Sequence, residues 1–152
     1  MVTLATGIIP GIAAYIIAAL RAYKSGERKH PSMRAIAAGL SDQDMADLAA
    51  HFAQQTPAGL EADPSNWKAG ERLFRGGDAA RGLPACIACH GREGASTNAG
   101  FFPRLAGKPA GYLYNQLLSF RDGRRFNSDM THMVQFLSDA YLREIADYFA
   151  AL

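Results

Sequence analysis

Two cysteines and a histidine form the most chemically distinctive cluster in the sequence, at Cys86, Cys89 and His90. Two thiols with this spacing on a turn can each add to one vinyl group of a haem, and the histidine that follows is then held beneath the iron as an axial ligand. A redox-active dithiol or half of a zinc site would use the same spacing. A dithiol is expected beside strands, which this region does not show, and the other histidines are too scattered to complete a zinc site. The spacing therefore predicts one covalently attached haem c.

A second axial ligand is expected downstream, because the chain must pass over the haem edge before it reaches the far side of the iron. The candidates are Met130, Met133 and His132. Met130 is favoured because it follows residues 124–129, a polar stretch that resembles a loop, and because it has a counterpart, Met33, in an internal repeat. A methionine ligand raises the reduction potential relative to two histidines and fills the position that oxygen would need. The pattern therefore predicts an electron carrier, in preference to a haem enzyme or a gas sensor.

The internal repeat appears when the sequence is shifted by 97 residues, the separation of Gly26 and Gly123. It pairs glycine, arginine, methionine and helix-capping residues as well as apolar ones, which shared hydrophobicity alone would not produce. The chain is therefore predicted to hold two copies of one structural unit. The pairs include Arg28 with Arg125, Met33 with Met130, Leu40-Ser41-Asp42 with Leu137-Ser138-Asp139, and Phe52 with Phe149.

The first copy has no counterpart of the haem-attachment motif, because Cys86 shifted back by the same interval falls before Met1. Either that segment has been lost or the chain begins late relative to the natural one. Met33 is then expected to pack in a core, unless it serves a haem whose binding segment lies upstream. The face meant for a haem would be apolar, and we expect the second domain, a partner subunit or a dimer mate to cover it.

Helices are predicted throughout, since no stretch alternates apolar and polar residues as a strand does. Ser41 and Ser138 are good N-caps, and each precedes apolar residues at helical spacing. A further helix is predicted from about Ser65 to Arg75, with Ser65 or Asn66 as its cap. The predicted fold class is all-α, with a partial domain at 1–53, a linker at 54–64 and a complete haem domain at 65–152.

Gly70 and Phe74 share one face of that further helix, at a spacing of four residues. A glycine allows a second helix to approach closely, so we expect this face to cross the terminal helix near Tyr148 and Phe149.

The composition is that of an ordinary globular protein, with 49% hydrophobic and 20% charged residues and a formal net charge of +2. That charge is too small to argue for nucleic acid binding, and two cysteines exclude a disulfide framework. Residues 2–20 are largely apolar, but Pro10 and Gly11 interrupt them and the first cation is Arg21, so they differ from a signal peptide. A core helix is favoured over a membrane anchor, and membrane association is expected to be weak or absent.

Three longer segments resemble the bacterial cytochrome c4 family, periplasmic proteins with two class I cytochrome c domains in tandem. They are GERLFRGGDAARGLPACIACHG, FPRLAGKPAGYLYNQLLSFRDGRR and the ending M…LSD…IADYFAAL, at 70–91, 102–125 and 130–152. Residues 13–53 resemble the second half of the preceding domain. The resemblance implies an electron-transfer protein whose first domain is incomplete in this chain.

The resemblance also assigns roles to individual residues. It implies that Cys86 and Cys89 form the thioether bonds and that His90 and Met130 are the axial ligands. In class I cytochromes the carbonyl of a proline after the motif accepts a hydrogen bond from the axial histidine, and Pro103 is the matching residue. Such a bond fixes the imidazole tautomer and increases its basicity.

Three arginines, Arg121, Arg124 and Arg125, follow the helix that is predicted to begin near Pro109. At least two of them are expected to form a solvated cationic edge. Arg125, together with Tyr112, is a candidate to contact a haem propionate, because a charged contact would stabilise the ionised carboxylate. Alternatively the cluster docks an acidic partner.

The sequence thus predicts a periplasmic c-type cytochrome that carries single electrons between donor and acceptor redox proteins. The alternative is a cytochrome subunit of a larger flavin- or quinone-dependent dehydrogenase, because a permanent partner would cover the apolar face of the first copy.

Overall fold

The computed structural model describes residues 10–55, 67–96 and 102–152. Over these residues the chain is helical and holds no β-strand, and its extended pairings are isolated bridges, of which one is antiparallel between Asp78 and Leu83. The predicted all-α fold is therefore confirmed. A short 3₁₀ turn lies at Ala79–Arg81, and the helices are α1 Pro10–Ser25, α2 Pro31–Ala38, α3 Asp42–Ala53, α4 Trp67–Gly76, α5 Ile87–His90, α6 Ala110–Arg121, α7 Ser128–Val134 and α8 Asp139–Ala151.

The described residues divide into two compact units. The first comprises residues 10–55 with 102–103, and the second comprises 67–96 with 104–152. In the first unit α1 packs against both α2 and α3. Its buried apolar residues are Leu20, Ala37, Met45, Ala49 and Ala53.

The second unit is built on the pairing of α4 with α8, and α6 packs against both α7 and α8. A Cβ placed on Gly70 would collide with the carbonyl oxygen of Glu144 and would lie 2.7 Å from the Cβ of Tyr148. The ring of Phe74 lies 5.4 Å from the rings of both Tyr148 and Phe149. The predicted crossing of α4 over α8 is confirmed, and only glycine permits so close an approach.

Helices α1, α2 and α3 recur as α6, α7 and α8 at the spacing of the sequence repeat. Ser41 and Ser138 cap α3 and α8 as predicted, each accepting a hydrogen bond from a backbone N–H of the first turn. Gly26 and Gly123 adopt φ values of +89° and +71° after α1 and α6. The repeat thus extends to turns and caps, which packing of apolar side chains alone would not specify.

Among the described residues, the part of the apolar stretch that contains Pro10 and Gly11 forms the start of α1, whose first described residue is Pro10. Proline is well tolerated in the first turn, where its missing N–H has no partner to lose. Among the described residues no helix is both long enough and apolar enough to cross a membrane.

Two other sequence predictions fall largely outside the described residues. The cap of α4, assigned to Ser65 or Asn66, lies there, and so does most of the stretch 54–64. Gln54, at the beginning of that stretch, closes α3 by donating its backbone N–H to the carbonyls of His51 and Phe52.

Candidate haem-binding site

A single helical turn presents the two thiols and the imidazole. Cys86 is the N-terminal flanking residue of α5, and the backbone N–H of His90 donates to its carbonyl oxygen at 3.0 Å. Gly91 then ends the helix in the left-handed region, at φ +78°. The Cys86, Cys89 and His90 side chains therefore leave the backbone within one turn, as a covalent haem attachment requires.

Burial decides which chemistry suits these thiols. His90 is only 6% exposed, and Cys86 is partly buried against the core of the second unit. This burial raises the pKa of the Cys86 thiol to about 11. A redox-active dithiol requires a thiol whose pKa is lowered, so the environment of Cys86 is unsuitable for one. A cysteine sulfur in a thioether bond does not ionise, so its burial carries no cost for a charge. Cys86, Cys89 and His90 therefore fit a covalently attached haem.

Backbone hydrogen bonds fold the chain back after His90. The N–H of Ser96 donates to the carbonyl of His90 at 2.8 Å, and the N–H of Leu105 donates to that of Gly94 at 2.8 Å. Pro103, predicted to accept a hydrogen bond from His90, is grouped with the first compact unit. That hydrogen bond stays a prediction.

Met130 lies on α7, and its backbone N–H takes part in the N-cap of that helix. The Oδ1 atom of Asn127 caps the helix by accepting from the N–H of Met130 at 3.0 Å. The prediction of a loop over residues 124–129 is therefore wrong in its last two positions, because α7 already begins at Ser128. Sequence reasoning missed Asn127, although asparagine before a helix is a frequent N-cap.

The three candidates for the second axial ligand differ in their surroundings. Met130 and Met133 are both partly buried against the hydrophobic core that Cys86 also contacts. His132 is exposed, and its Nδ1 lies 3.0 Å from the amide nitrogen of Gln135. The second unit thus brings Cys86 and both methionines onto one core, whereas His132 faces solvent.

The predicted arginine cluster divides into separate roles. Arg121 bonds to Asp139 at 2.7 Å and donates to the carbonyl of Leu137 at 3.1 Å, so it ties α6 to the start of α8. Arg125 donates to the side-chain oxygen of Gln116 at 2.9 Å. Tyr112, the other candidate for a propionate contact, is 40% exposed on the first turn of α6.

Comparison with known proteins identifies the chemistry of this site. The sequence profile of the cytochrome c family matches residues 68–152. Cytochrome c4 of Pseudomonas aeruginosa is 39% identical over 142 residues, which are 91% of this chain and 71% of that protein. The chain belongs to the cytochrome c4 family. The chain also resembles the thiosulfate dehydrogenase electron acceptor of Stutzerimonas stutzeri, with 39% identity over 84% of this chain and 62% of that protein.

The fold agrees with this cytochrome c4 assignment. The crystal structure of reduced recombinant cytochrome c4 from Pseudomonas stutzeri matches with a TM-score of 0.85 and 35% identity, over 92% of this chain and 80% of that one. The chain spans 61% and 51% of the length of two further cytochromes c4.

Membership of the cytochrome c4 family confirms three of the sequence predictions. The protein is a c-type cytochrome, its cofactor is covalently bound haem c, and its role is electron transfer.

Proposed function

We propose that this chain carries single electrons between redox proteins through one haem that is bound to Cys86 and Cys89 and ligated by His90 and Met130. The observation that carries the proposal is the turn of α5, in which the N–H of His90 bonds to the carbonyl of Cys86 at 3.0 Å. The haem, when bound, supplies one-electron exchange between ferrous and ferric iron.

The candidate haem-binding residues have separate tasks in this proposal. Cys86 and Cys89 hold the cofactor covalently, so that it is not lost during repeated encounters with partners. His90 donates its imidazole from a buried position, and Pro103 fixes the tautomer of that imidazole. Met130 would supply the second protein ligand to the iron and would so exclude other ligands. Arg125 and Tyr112 bind the propionates from α6 and the turn that follows it.

The haem count follows from the cysteines, because these 152 residues contain only the pair at Cys86 and Cys89. We assign residues 1–53, most of which lie in the first unit, to a partial copy of the haem domain, supported by the recurrence of α1 to α3 as α6 to α8. Since haem c is attached outside the bacterial cytoplasm, we place the protein in the periplasm.

A mass measurement on the protein expressed from these 152 residues tests the count and the attachment. We expect the mass of the chain plus one haem, which denaturation does not remove. Cys86→Ala and Cys89→Ala should each leave a haem held by one thioether bond, and the double variant should lose it on denaturation. A double variant that retains its haem after denaturation would overturn the assignment of the two thiols.

A second candidate is a cytochrome subunit of a larger dehydrogenase. It is favoured by the likeness to a protein named as the electron acceptor of thiosulfate dehydrogenase. Size-exclusion chromatography of the native protein separates the two, because a permanent subunit elutes with its catalytic partner and a free carrier elutes alone.

A further inference from the structure

The backbone of Met130 is held by the side chain of a residue three positions before it. Met130 is the third residue of α7, so its N–H lies in the first turn, where an α-helix offers no backbone acceptor. The Oδ1 atom of Asn127 accepts from that N–H at 3.0 Å. Asn127 therefore supplies the hydrogen-bond partner that the helix itself cannot give to Met130.

Further hydrogen bonds close the same turn between Asn127 and Thr131. The hydroxyl oxygen of Thr131 accepts from the backbone N–H of Asn127 at 3.4 Å. The backbone N–H of Thr131 donates to the carbonyl oxygen of Asn127 at 2.8 Å. The turn that carries Met130 is thus closed by side chains on both sides as well as by the backbone.

The first unit has the same cap but lacks the second side-chain contact. His30 occupies the repeat position of Asn127, and its Nδ1 accepts from the N–H of Met33 at 3.3 Å. Both capping residues have an extended backbone, with φ at −159° and ψ at 110° and 125°. Arg34 stands at the position of Thr131 and has no hydroxyl group to accept a hydrogen bond. The closure from both sides therefore belongs to the unit that contains the haem-attachment motif.

Helix α7 depends on such contacts because it is short. It has seven residues, and an isolated helix of that length is not stable in water. In the second unit it packs against α6, and its far end is closed by the N–H of Gln135, which donates to the carbonyl of Thr131 at 3.2 Å. Helix ends fray first, so the cap at Asn127 decides how firmly the turn with Met130 is held.

We propose that Asn127 is a positioning residue for the iron ligand, because it keeps the first turn of α7 closed and so keeps the thioether of Met130 at the haem iron. This inference rests on the function proposed above, in which Met130 is the second axial ligand. Since ligation requires the closed turn, the cap and the iron–sulfur bond stabilise each other. An external ligand must compete with both, so loss of the cap increases its apparent affinity.

Titration of the ferric, haem-loaded chain with imidazole tests this coupling. Imidazole displaces the methionine, and the weak red absorption band of methionine-bound ferric haem then disappears. In Asn127→Ala the imidazole concentration at half-displacement should fall about fivefold, which is the ratio that a typical N-cap contributes. Asn127→Ser should restore the concentration of the wild type, because serine is an equally good cap and adds no charge.

Another cap in the same unit provides the matched control. The hydroxyl oxygen of Ser138 caps α8 by accepting from the N–H of Tyr141 at 3.4 Å. Ser138→Ala should lower the midpoint of urea unfolding, as Asn127→Ala does, but its imidazole titration should match that of the wild type. Should Asn127→Ala fail to fold, as judged by circular dichroism, Thr131→Val opens the same turn and should lower the half-displacement concentration at least about twofold.

Three results would overturn the inference. They are equal imidazole concentrations for Asn127→Ala and the wild type, an equal shift in Ser138→Ala, or no restoration by Asn127→Ser. Failure of the function proposed above is recognised separately, because the red band would then be absent from the wild type or would persist in Met130→Ala. Either of these would also overturn the inference, since Asn127 would have no ligand to position.

Discussion

The guanidinium of Arg125 lies over the ring of Phe120, with its carbon 4.4 Å from the ring centroid. The first unit repeats this relationship, since the guanidinium carbon of Arg28 lies 4.6 Å from the ring centroid of Tyr23. A cation over an aromatic face contributes about 0.5–1 kcal/mol at an exposed site and about 2 kcal/mol when it is desolvated, and Arg28 is only 7% exposed. Both copies therefore use the ring at the end of the preceding helix to hold an arginine beside the turn.

An arginine held in this way should affect the iron if it binds a propionate as proposed. Arg125→Leu removes a positive charge near the haem, which favours the ferric state. We expect the reduction potential to fall by an amount equivalent to about 1 kcal/mol. Potentiometric titration of the haem measures this change.

The control for Arg125 is Arg143→Leu, because Arg143 also lies over a ring in the second unit, 4.3 Å from the centroid of Tyr114. That variant should leave the potential unchanged. Equal potentials for the Arg125 variant and the wild type would contradict the propionate contact.

The axial role of Met130 can be separated from that of its neighbour Met133. Met130→Ala should abolish the weak red absorption band that ferric haem shows when methionine is bound, and it should open the iron to external ligands. Met133→Ala should retain the band and should reduce stability only, by about 2–5 kcal/mol if its side chain is well packed. Loss of the band in Met133→Ala alone would assign the ligand to Met133.

The sequence assigns three haem-binding residues by their spacing, but spacing does not decide between Met130 and Met133 as the second ligand. Cys86, Cys89 and His90 could be assigned from spacing, because their chemistry requires that they share one turn. Met130 and Met133 are one helical turn apart on α7 and both pack against the core, so neither spacing nor burial separates them.

Helix ends show the same division between local and long-range causes. Ser41 and Ser138 could be predicted as caps, since a cap is a local hydrogen bond. The crossing at Gly70 was also predictable, because a glycine opposite an aromatic stripe implies close packing. The first residue of α7, Ser128, was not, since the polar stretch 124–129 resembles a loop in the sequence.

Because α4 crosses α8 so closely at Gly70, adding a single methyl group at this position should lower the stability of the protein strongly. Gly70→Ala places a Cβ against the carbonyl of Glu144, so α4 and α8 must separate. We expect the free energy of unfolding to fall by about 3 kcal/mol, measured by urea titration. Gly111→Ala is the control, because a Cβ there meets nothing within 4 Å, and it should change stability by less than about 0.5 kcal/mol. Equal midpoints for the two variants would contradict the close approach.

The bond between Arg121 and Asp139 predicts how stability depends on pH. The hydrogen bond from Arg121 holds the pKa of Asp139 below its usual value. The unfolded chain therefore takes up a proton at Asp139 before the folded one does. This contribution to stability is complete above about pH 4 and is lost as the pH falls through the lowered pKa.

Asp139→Asn should accordingly make the free energy of unfolding less dependent on pH in the acid range, since asparagine does not titrate. Urea titrations between about pH 5 and about pH 2 measure the slope. The change should be small, because Asp139 is exposed and water screens the pair. Asp47→Asn is the control, because Asp47 accepts a hydrogen bond from the neutral amide of Gln43 at 2.8 Å. If Asp139→Asn keeps the slope of the wild type, the bond between Arg121 and Asp139 does not persist in solution.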